Sequence, residues 1–195
     1  MSNNDRRAAS RARPAAGPAR KPGRGGSGAG MAQTRAVDRL RQAVLTVLDE
    51  ALLGPQGEYA WFLDRGPQSG VLPLLDSISA EMASTPPKPG RATLAAHADH
   101  LRYCLELANR ALRGDQEAYT TADWTQSWTI RSVDEARWNE IKAGLRRAYE
   151  AVREVLAADD TWLDDDVTLT GMLGHLAHTG YHLGAIRQIA LDARG

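Results

Sequence analysis

Apolar residues recur at steps of three and four positions through four long stretches of this sequence, and this spacing constrains the fold more than any other feature. The stretches cover residues 34–53, 93–112, 132–158 and 169–189. Residues at this spacing share one face of an α-helix, and no stretch shows the strict alternation of a half-buried strand. The pattern therefore predicts an all-α protein, a four-helix bundle with long connections.

Helix-capping and helix-terminating residues support these boundaries. Gly54 and Gly114 each follow one of the apolar stretches, at a position where glycine commonly ends a helix. Thr93 has a side chain suited to an N-terminal cap. Ser132, with Glu135 three residues later, matches the capping box of a helix start. We therefore expect the helices to begin and end near these residues.

The connections between the helices carry their own expectations. Residues 70–83 are predicted to form a short helix or helical turn before the Pro-rich break at residues 84–90. Residues 115–131 show no sustained helical period and are predicted to form a long structured loop. Trp124 and Trp128 on this loop must pack over something, either a metal pocket or the end of the bundle.

The fourth helix has an unusually wide apolar stripe, formed by Leu169, Met172, Leu173, Leu176, Leu183, Ile186 and Ile189. Its width predicts that this helix is the most buried of the four. Gly180 and Gly184 are interpreted as permitting close helix packing. Arg187 is interpreted as the partner of an acid such as Glu106.

The first thirty residues differ sharply from the rest of the chain. They contain seven basic residues and one acidic residue, together with Ala, Pro, Gly and Ser but no large apolar side chain apart from Met1. Such a segment cannot offset the conformational entropy lost on folding. We predict a disordered basic tail over residues 1–32 and a bundle domain over residues 33–195. A real tail and translation from Met31 are both open interpretations of the extension.

Charge, cysteine content and hydropathy argue against several classes of partner. The residues after the thirtieth contain 17 basic and 23 acidic side chains, so the folded part is mildly acidic and unlike a nucleic-acid-binding surface. The apolar runs are too short to span a bilayer, and the N-terminus lacks the core of a secretory signal. The one cysteine, Cys104, forms no internal disulfide and is interpreted as a small core residue. We expect a cytoplasmic protein without nucleic-acid or membrane partners.

All five histidines lie in two of the predicted helices. His97 and His100 lie in the second, and His175, His178 and His182 lie in the fourth. Residues four apart share one helical face, so His178 and His182 can present two nitrogens to one metal ion. A third ligand from the second helix and one open position would complete a three-histidine site. His175 lies on nearly the same stripe and is a further candidate, as a ligand or as support.

Two motifs that contain histidines of this pattern resemble those of a known superfamily. Residues 178–187, HTGYHLGAIR, resemble the terminal His-x3-His-x-Gly-x-Ile motif of the DinB/YfiT-like superfamily. Residues 93–101, TLAAHADHL, resemble its helix-two motif, in which a His directly before Leu binds the metal. The resemblance covers about residues 34–190. It implies a four-helix bundle, often homodimeric, in which a divalent ion, zinc or nickel, is bound by His100, His178 and His182.

The resemblance also carries an expectation about activity. The superfamily includes transferases and isomerases that work with low-molecular-weight thiols, so it implies a metal-dependent thiol transferase or hydrolase with a small-molecule substrate. Ala185 stands where the family often has a small polar residue, and His97 competes with His100 as the third ligand. The catalytic residues are unknown, because the sequence supplies no evident general base. The alternative is a non-enzymatic, stress-associated dimer that binds a metal or a small molecule.

Overall fold

A computed structural model describes residues 27–158 and 160–193 of the chain. The helices in chain order are α1 (Ser27–Leu53), α2 (Val71–Asp76), α3 (Ala80–Ser84), α4 (Leu94–Leu112), α5 (Glu135–Ala158) and α6 (Asp166–Asp192). Short 3-10 turns lie at Gln126–Thr129 and Thr161–Leu163, and the described residues contain no strand. The prediction of an all-α fold is confirmed.

The four long helices form the predicted bundle. Helices α1 and α4 each pack against both α5 and α6, so α1 lies diagonally across from α4. The short helices α2 and α3 also pack against this core. Burial of large apolar side chains supplies most of the favourable free energy of such a fold. The largest fully buried side chains include Trp138, Leu48, Leu72, Leu101, Leu105, Ile141 and Leu145.

The N-terminal tail falls mostly outside the structure. Residues 1–26 lie outside the described residues, so their predicted disorder stays a prediction. Helix α1 begins at Ser27, before the predicted start at Thr34. Residues 30–36 are exposed, so a pattern of burial marks the helix only from Val37 onward.

Three of the predicted helix ends are confirmed. The hydroxyl of Thr93 accepts a hydrogen bond from the backbone N–H of Ala96 at 3.2 Å and caps α4. Gly54 and Gly114 follow α1 and α4 with φ angles of 89° and 93°. Glycine adopts this left-handed conformation without the steric cost that a Cβ brings, which is why it ends helices.

The capping box predicted at Ser132 is wrong. Helix α5 begins at Glu135, and the carboxylate of Asp134 accepts the N–H of Arg137 at 2.7 Å. The Glu135 side chain accepts the N–H of Ala80 at 3.2 Å and so ties α5 to α3. Ser132 and Asp134 are both good cap residues, and the protein uses Asp134, with the side chain of Glu135 bonded to α3 instead of to its own helix start.

A buried carboxylate holds the loop that follows α1. Glu50 is 2% exposed and accepts the backbone N–H groups of Trp61, Phe62 and Leu63 at 2.8–3.0 Å. Burial alone would raise the pKa of Glu50, but these hydrogen bonds outweigh it and lower the pKa. Glu50 therefore fixes a loop whose aromatic side chains Trp61 and Phe62 stay exposed.

The prediction that the fourth helix is the most buried is wrong. Helix α6 has seven buried residues, whereas the shorter α4 has eleven. One face of α6 is exposed and uncharged, and we call it the α6 stripe: Thr170, Leu173, Gly174, Ala177, Tyr181, Gly184, Gln188 and Leu191. A Cβ at Gly184 would meet no atom within 4 Å, so this glycine packs against no described neighbour. No helix in the described part of the chain is long and apolar enough to cross a membrane, α6 included.

Arg187 does not pair with Glu106, contrary to the prediction. Its guanidinium donates to the backbone carbonyl of Ser69, two residues before α2. Glu106 instead accepts from Arg102, four residues earlier on the same helix, at 2.7 Å. A partner one turn away on the same helix is always within reach, whereas a pair between helices depends on their packing.

We predict that Trp138→Phe lowers the free energy of unfolding by about 1–3 kcal/mol or more, because the indole N–H donates to the buried carbonyl of Ile78 at 2.7 Å. Loss of the donor leaves that carbonyl without a partner, and the smaller ring leaves a cavity. Urea unfolding measures the change. Trp124→Phe is the control, since Trp124 is 46% exposed and its replacement should cost little. An equal cost for the two variants would contradict the prediction.

Candidate metal centre

Helices α4 and α6 pack side by side and bring three of the five histidines together. His100 on α4 and His178 and His182 on α6 each offer one ligand atom, and these atoms lie within 4.8 Å of one another. Nε2 of His178 is 3.0 Å from Nε2 of His182 and 3.3 Å from Nε2 of His100. The structure thus groups the three ligands that the sequence predicted, and we call them the histidine cluster.

Two of the three separations within the histidine cluster match those expected between ligands of one divalent ion. With metal–nitrogen bonds of about 2.0–2.1 Å and bond angles of about 90–110°, two ligand atoms lie roughly 2.9–3.4 Å apart. The two measured separations, 3.0 and 3.3 Å, fall in this range. Within the described part of the chain no carboxylate or thiol belongs to the group. Three described residues could therefore hold one ion together.

His97 supports the cluster from outside. Its Nδ1 lies 2.9 Å from Nδ1 of His182, whereas the cluster contact of His182 uses Nε2. A partner on the far nitrogen of a metal-binding imidazole fixes the ring orientation and the position of its proton. The geometry therefore distinguishes the two histidines of α4: His100 belongs to the cluster, and His97 orients His182.

His175 contacts a residue that the sequence did not single out. Its Nε2 lies 2.8 Å from the hydroxyl oxygen of Tyr119, and the two rings are stacked with their centroids 6.0 Å apart. Tyr119 in turn stacks on Trp124 at 6.4 Å. The position of Tyr119 in the loop that carries both predicted tryptophans was the only sequence signal for its role.

One of the two loop tryptophans covers the cluster. The Trp128 ring centroid lies 4.5 Å from that of His100 and 6.0 Å from that of His182. Trp124 lies farther out, beside Tyr103 at 6.4 Å. Of the two alternatives for these tryptophans, Trp128 therefore takes the position over the pocket.

Two contacts attach the loop of this indole to α4. The hydroxyl of Ser127 donates to the buried carboxylate of Asp99 at 2.7 Å, and the other oxygen of that carboxylate accepts from Arg102 at 2.8 Å. The Thr93 hydroxyl donates to the carbonyl of Ile130 at 2.9 Å. Hydrogen bonds on both sides of the indole thus fix its height above the cluster.

Cys104 lies beside the cluster as a neutral thiol. Its Sγ is 3.5 Å from Nε2 of His100. Burial raises the pKa of the thiol to about 12, so it stays protonated at neutral pH. Because the thiolate is the form that binds metals and attacks electrophiles, this environment favours the interpretation of Cys104 as a core residue.

Burial lowers the pKa of all five histidines. The pKa of His182 falls to about 3 and that of His100 to about 4, with burial as the main cause and neighbouring histidines adding to it. The pKa of His175 falls to about 4, mainly through burial. Burial also lowers the pKa of His97 and of His178. The rings are therefore neutral at pH 7, the form in which imidazole binds metals.

Comparison with known proteins identifies a family whose model matches this chain. The family model of the DinB superfamily matches residues 65–186, more than half of the chain. The matched span contains the whole histidine cluster and the loop that covers it. No curated protein and no solved structure gives a significant match.

We predict that the metal-free protein loses stability as the pH falls from about 6.5 to about 4. In this window the unfolded chain binds protons at its histidines, whose ordinary pKa is about 6.5, while His182 and His100 stay mostly neutral in the folded protein because burial lowers their pKa to about 3 and about 4. Stability therefore falls where the unfolded state holds more protons. Thermal unfolding between pH 7.5 and 4.5 measures the loss, and His182→Asn should show a weaker pH dependence. A melting temperature that is flat across the window would contradict the prediction.

Proposed function

The chain belongs to the DinB superfamily, and we propose that it binds one divalent ion, zinc or nickel, at the histidine cluster and uses it on a small-molecule substrate. The observation that carries this proposal is the set of three converging imidazoles without a fourth protein ligand among the described residues. Structural zinc sites are closed by four protein ligands, whereas catalytic sites have three and keep one position for water or substrate.

We propose a metal-dependent transferase that uses a low-molecular-weight thiol, or a hydrolase that uses water. An ion held by His100, His178 and His182 would supply Lewis acidity, which would lower the pKa of a thiol or water bound beside it. The remaining roles belong to the protein: His97 orients His182, and Trp128 keeps bulk water from one side of the cluster. These contacts would hold the ligand geometry that such chemistry needs.

The second candidate is a non-enzymatic, stress-associated dimer that binds a metal or a small molecule. This candidate is favoured because no carboxylate among the described residues joins the cluster, where it could act as a general base. The carboxylate of Asp99 is nearby in sequence, but it is engaged by Ser127 and Arg102. A turnover assay on the metal-loaded protein separates the two candidates.

A cytoplasmic location fits this proposal. The chemistry of a free thiol requires a reducing compartment, and the one cysteine of the chain, Cys104, is unpaired.

We also propose that the protein is a homodimer that buries the α6 stripe. Leu173, Tyr181 and Leu191 on this stripe are 48%, 72% and 59% exposed. An uncharged apolar face of this length is typical of an interaction surface. Phe62, on the loop held by Glu50, lies next to Gly180 of α6 and extends the same surface.

We predict that His178→Ala and His182→Ala each abolish metal binding, because two ligands alone hold a divalent ion weakly. The wild-type protein, loaded with zinc or nickel and dialysed, should contain about one ion per chain by elemental analysis. His97→Ala should bind more weakly but still measurably, since it removes only an orienting contact. Circular dichroism should show that all variants keep their helices. Full metal content in His182→Ala would overturn the metal-site proposal.

A thiol-conjugation and hydrolysis screen on the metal-loaded protein tests the reaction. Turnover that is lost in His182→Ala supports the enzyme. Stoichiometric metal without any turnover supports the non-enzymatic candidate.

We predict that Ala177→Glu, at the middle of the α6 stripe, converts the dimer to a monomer. A carboxylate buried at a two-fold interface would meet its own copy at low dielectric. Light scattering at micromolar concentration measures the mass, and Ala143→Glu on the exposed side of α5 is the control. A wild-type monomer, or a variant that stays dimeric, would contradict the proposed interface.

A further inference from the structure

A pocket of about 370 Å³ lies between α1 and the loop that follows it, and we call it the loop pocket. It is lined by Thr46, Asp49, Glu50, Gln56, Gly57, Glu58, Tyr59 and Trp61. Small-molecule pockets in proteins commonly have volumes of about 300–1,000 Å³. None of these residues belongs to the histidine cluster or to the α6 stripe, so the loop pocket is separate from both.

Two aromatic side chains of the loop pocket are exposed. Tyr59 is 63% exposed and Trp61 is 64% exposed. Their ring centroids lie 5.9 Å apart, and the ring planes are inclined at 46°. A cation is attracted to an aromatic face when it lies within about 6 Å of the ring centroid. Because the two centroids are this close, one small cation can lie within that distance of both rings.

Hydrogen bonds to the backbone hold the loop in this conformation. The Glu50 carboxylate accepts the N–H of Trp61 at 2.9 and 3.0 Å. The Arg65 guanidinium donates to the carbonyl of Gly57 at 2.8 Å and to that of Glu58. Preorganisation of a site reduces the conformational entropy that binding would otherwise cost. The two rings are therefore carried on a loop that needs little ordering when a ligand binds.

The charges of the loop pocket favour a cation. Asp49, Glu50 and Glu58 line it, and no basic residue does so in the described part of the chain. Arg153 pairs with Asp49 at 2.9 Å, and the charge of Arg65 lies within electrostatic range of Glu50. The Glu58 carboxylate makes no ion pair among the described residues. Three carboxylates and two guanidiniums thus leave one net negative charge among these groups, which attracts a monocation and disfavours an anion.

The neighbouring Phe62 does not belong to the loop pocket. It lies next to Gly180 of α6, where it extends the surface of the proposed homodimer. Trp61 instead lines the loop pocket beside α1. The proposed dimer contact of Phe62 therefore does not account for the exposed ring of Trp61.

We propose that the loop pocket binds a small organic cation of the quaternary ammonium class, held against Tyr59 and Trp61 with the Glu58 carboxylate as counter-ion. A quaternary ammonium group has no N–H to donate, so aromatic faces and a nearby carboxylate satisfy it without further acceptors. The site uses no residue of the histidine cluster, so it goes beyond the proposed metal chemistry and does not depend on it.

The probe is choline, and 3,3-dimethylbutan-1-ol is the control ligand, because it has nearly the same shape with carbon in place of the charged nitrogen. Each is titrated into the full-length, isotopically labelled protein. Binding is followed by nuclear magnetic resonance through the backbone amide signal of Gly57, which lines the pocket and is present in every variant. We expect saturable binding of choline with a dissociation constant on the order of 1 mM, and an affinity for the neutral alcohol at least about fivefold weaker.

Trp61→Leu removes one ring but keeps the backbone N–H that Glu50 accepts, so the loop stays anchored. Choline affinity should fall at least about fivefold in this variant. Glu58→Gln removes the counter-ion with little change of shape and should weaken choline binding several-fold. Trp124→Leu is the matched control, because Trp124 is also an exposed loop tryptophan but does not line the pocket, and this variant should bind choline like the wild type.

Absence of saturable choline binding to the wild type, equal affinity for the neutral alcohol, or an unchanged affinity in Trp61→Leu would each overturn the proposal. An unchanged affinity in Glu58→Gln would overturn the part assigned to this carboxylate. Metal content of the same samples should be equal in all variants, so loss of choline binding reports on the loop pocket and not on the histidine cluster.

Discussion

The burial of imidazole rings between α4 and α6 is the constraint on which the site depends. A neutral imidazole has one donor and one acceptor nitrogen, and each is costly to bury without a partner. Here the rings serve as partners for one another: His97 to His182, His182 to His178, and His178 to His100, at 2.9, 3.0 and 3.3 Å. The packing of α4 on α6 therefore brings these ring nitrogens together.

This series of ring contacts is incomplete at one end. Nε2 of His178 faces two other ring nitrogens, so it either donates one proton to both or accepts from both. In either case Nδ1 of His100 stays buried without a partner among the described residues. An ion at the centre would accept a lone pair from each of the three Nε2 atoms. The low pKa values keep the rings neutral at pH 7, so a metal ion would not have to displace protons from them.

Local sequence predicted the parts of the site that local geometry determines. His178 and His182 were found from their spacing, because residues four apart share a face on any helix. His100 required the family resemblance, since the rotation of α4 against α6 is a tertiary property that spacing does not reveal. Tyr119 lies in a loop without periodicity, so no sequence pattern predicts its contact with His175. The use of Asp134 instead of Ser132 as the cap was also missed, because the contact of Glu135 with α3 is tertiary and local sequence does not reveal it.

Helix α6 shows why an apolar stripe can overpredict burial. No Asp, Glu, Lys or Arg lies between Asp166 and Arg187. One side of this helix faces the bundle core and carries the cluster, and another forms the exposed α6 stripe. Burial of the α6 stripe in the proposed homodimer would desolvate any charge placed on it, and that cost would account for the absence of charges there.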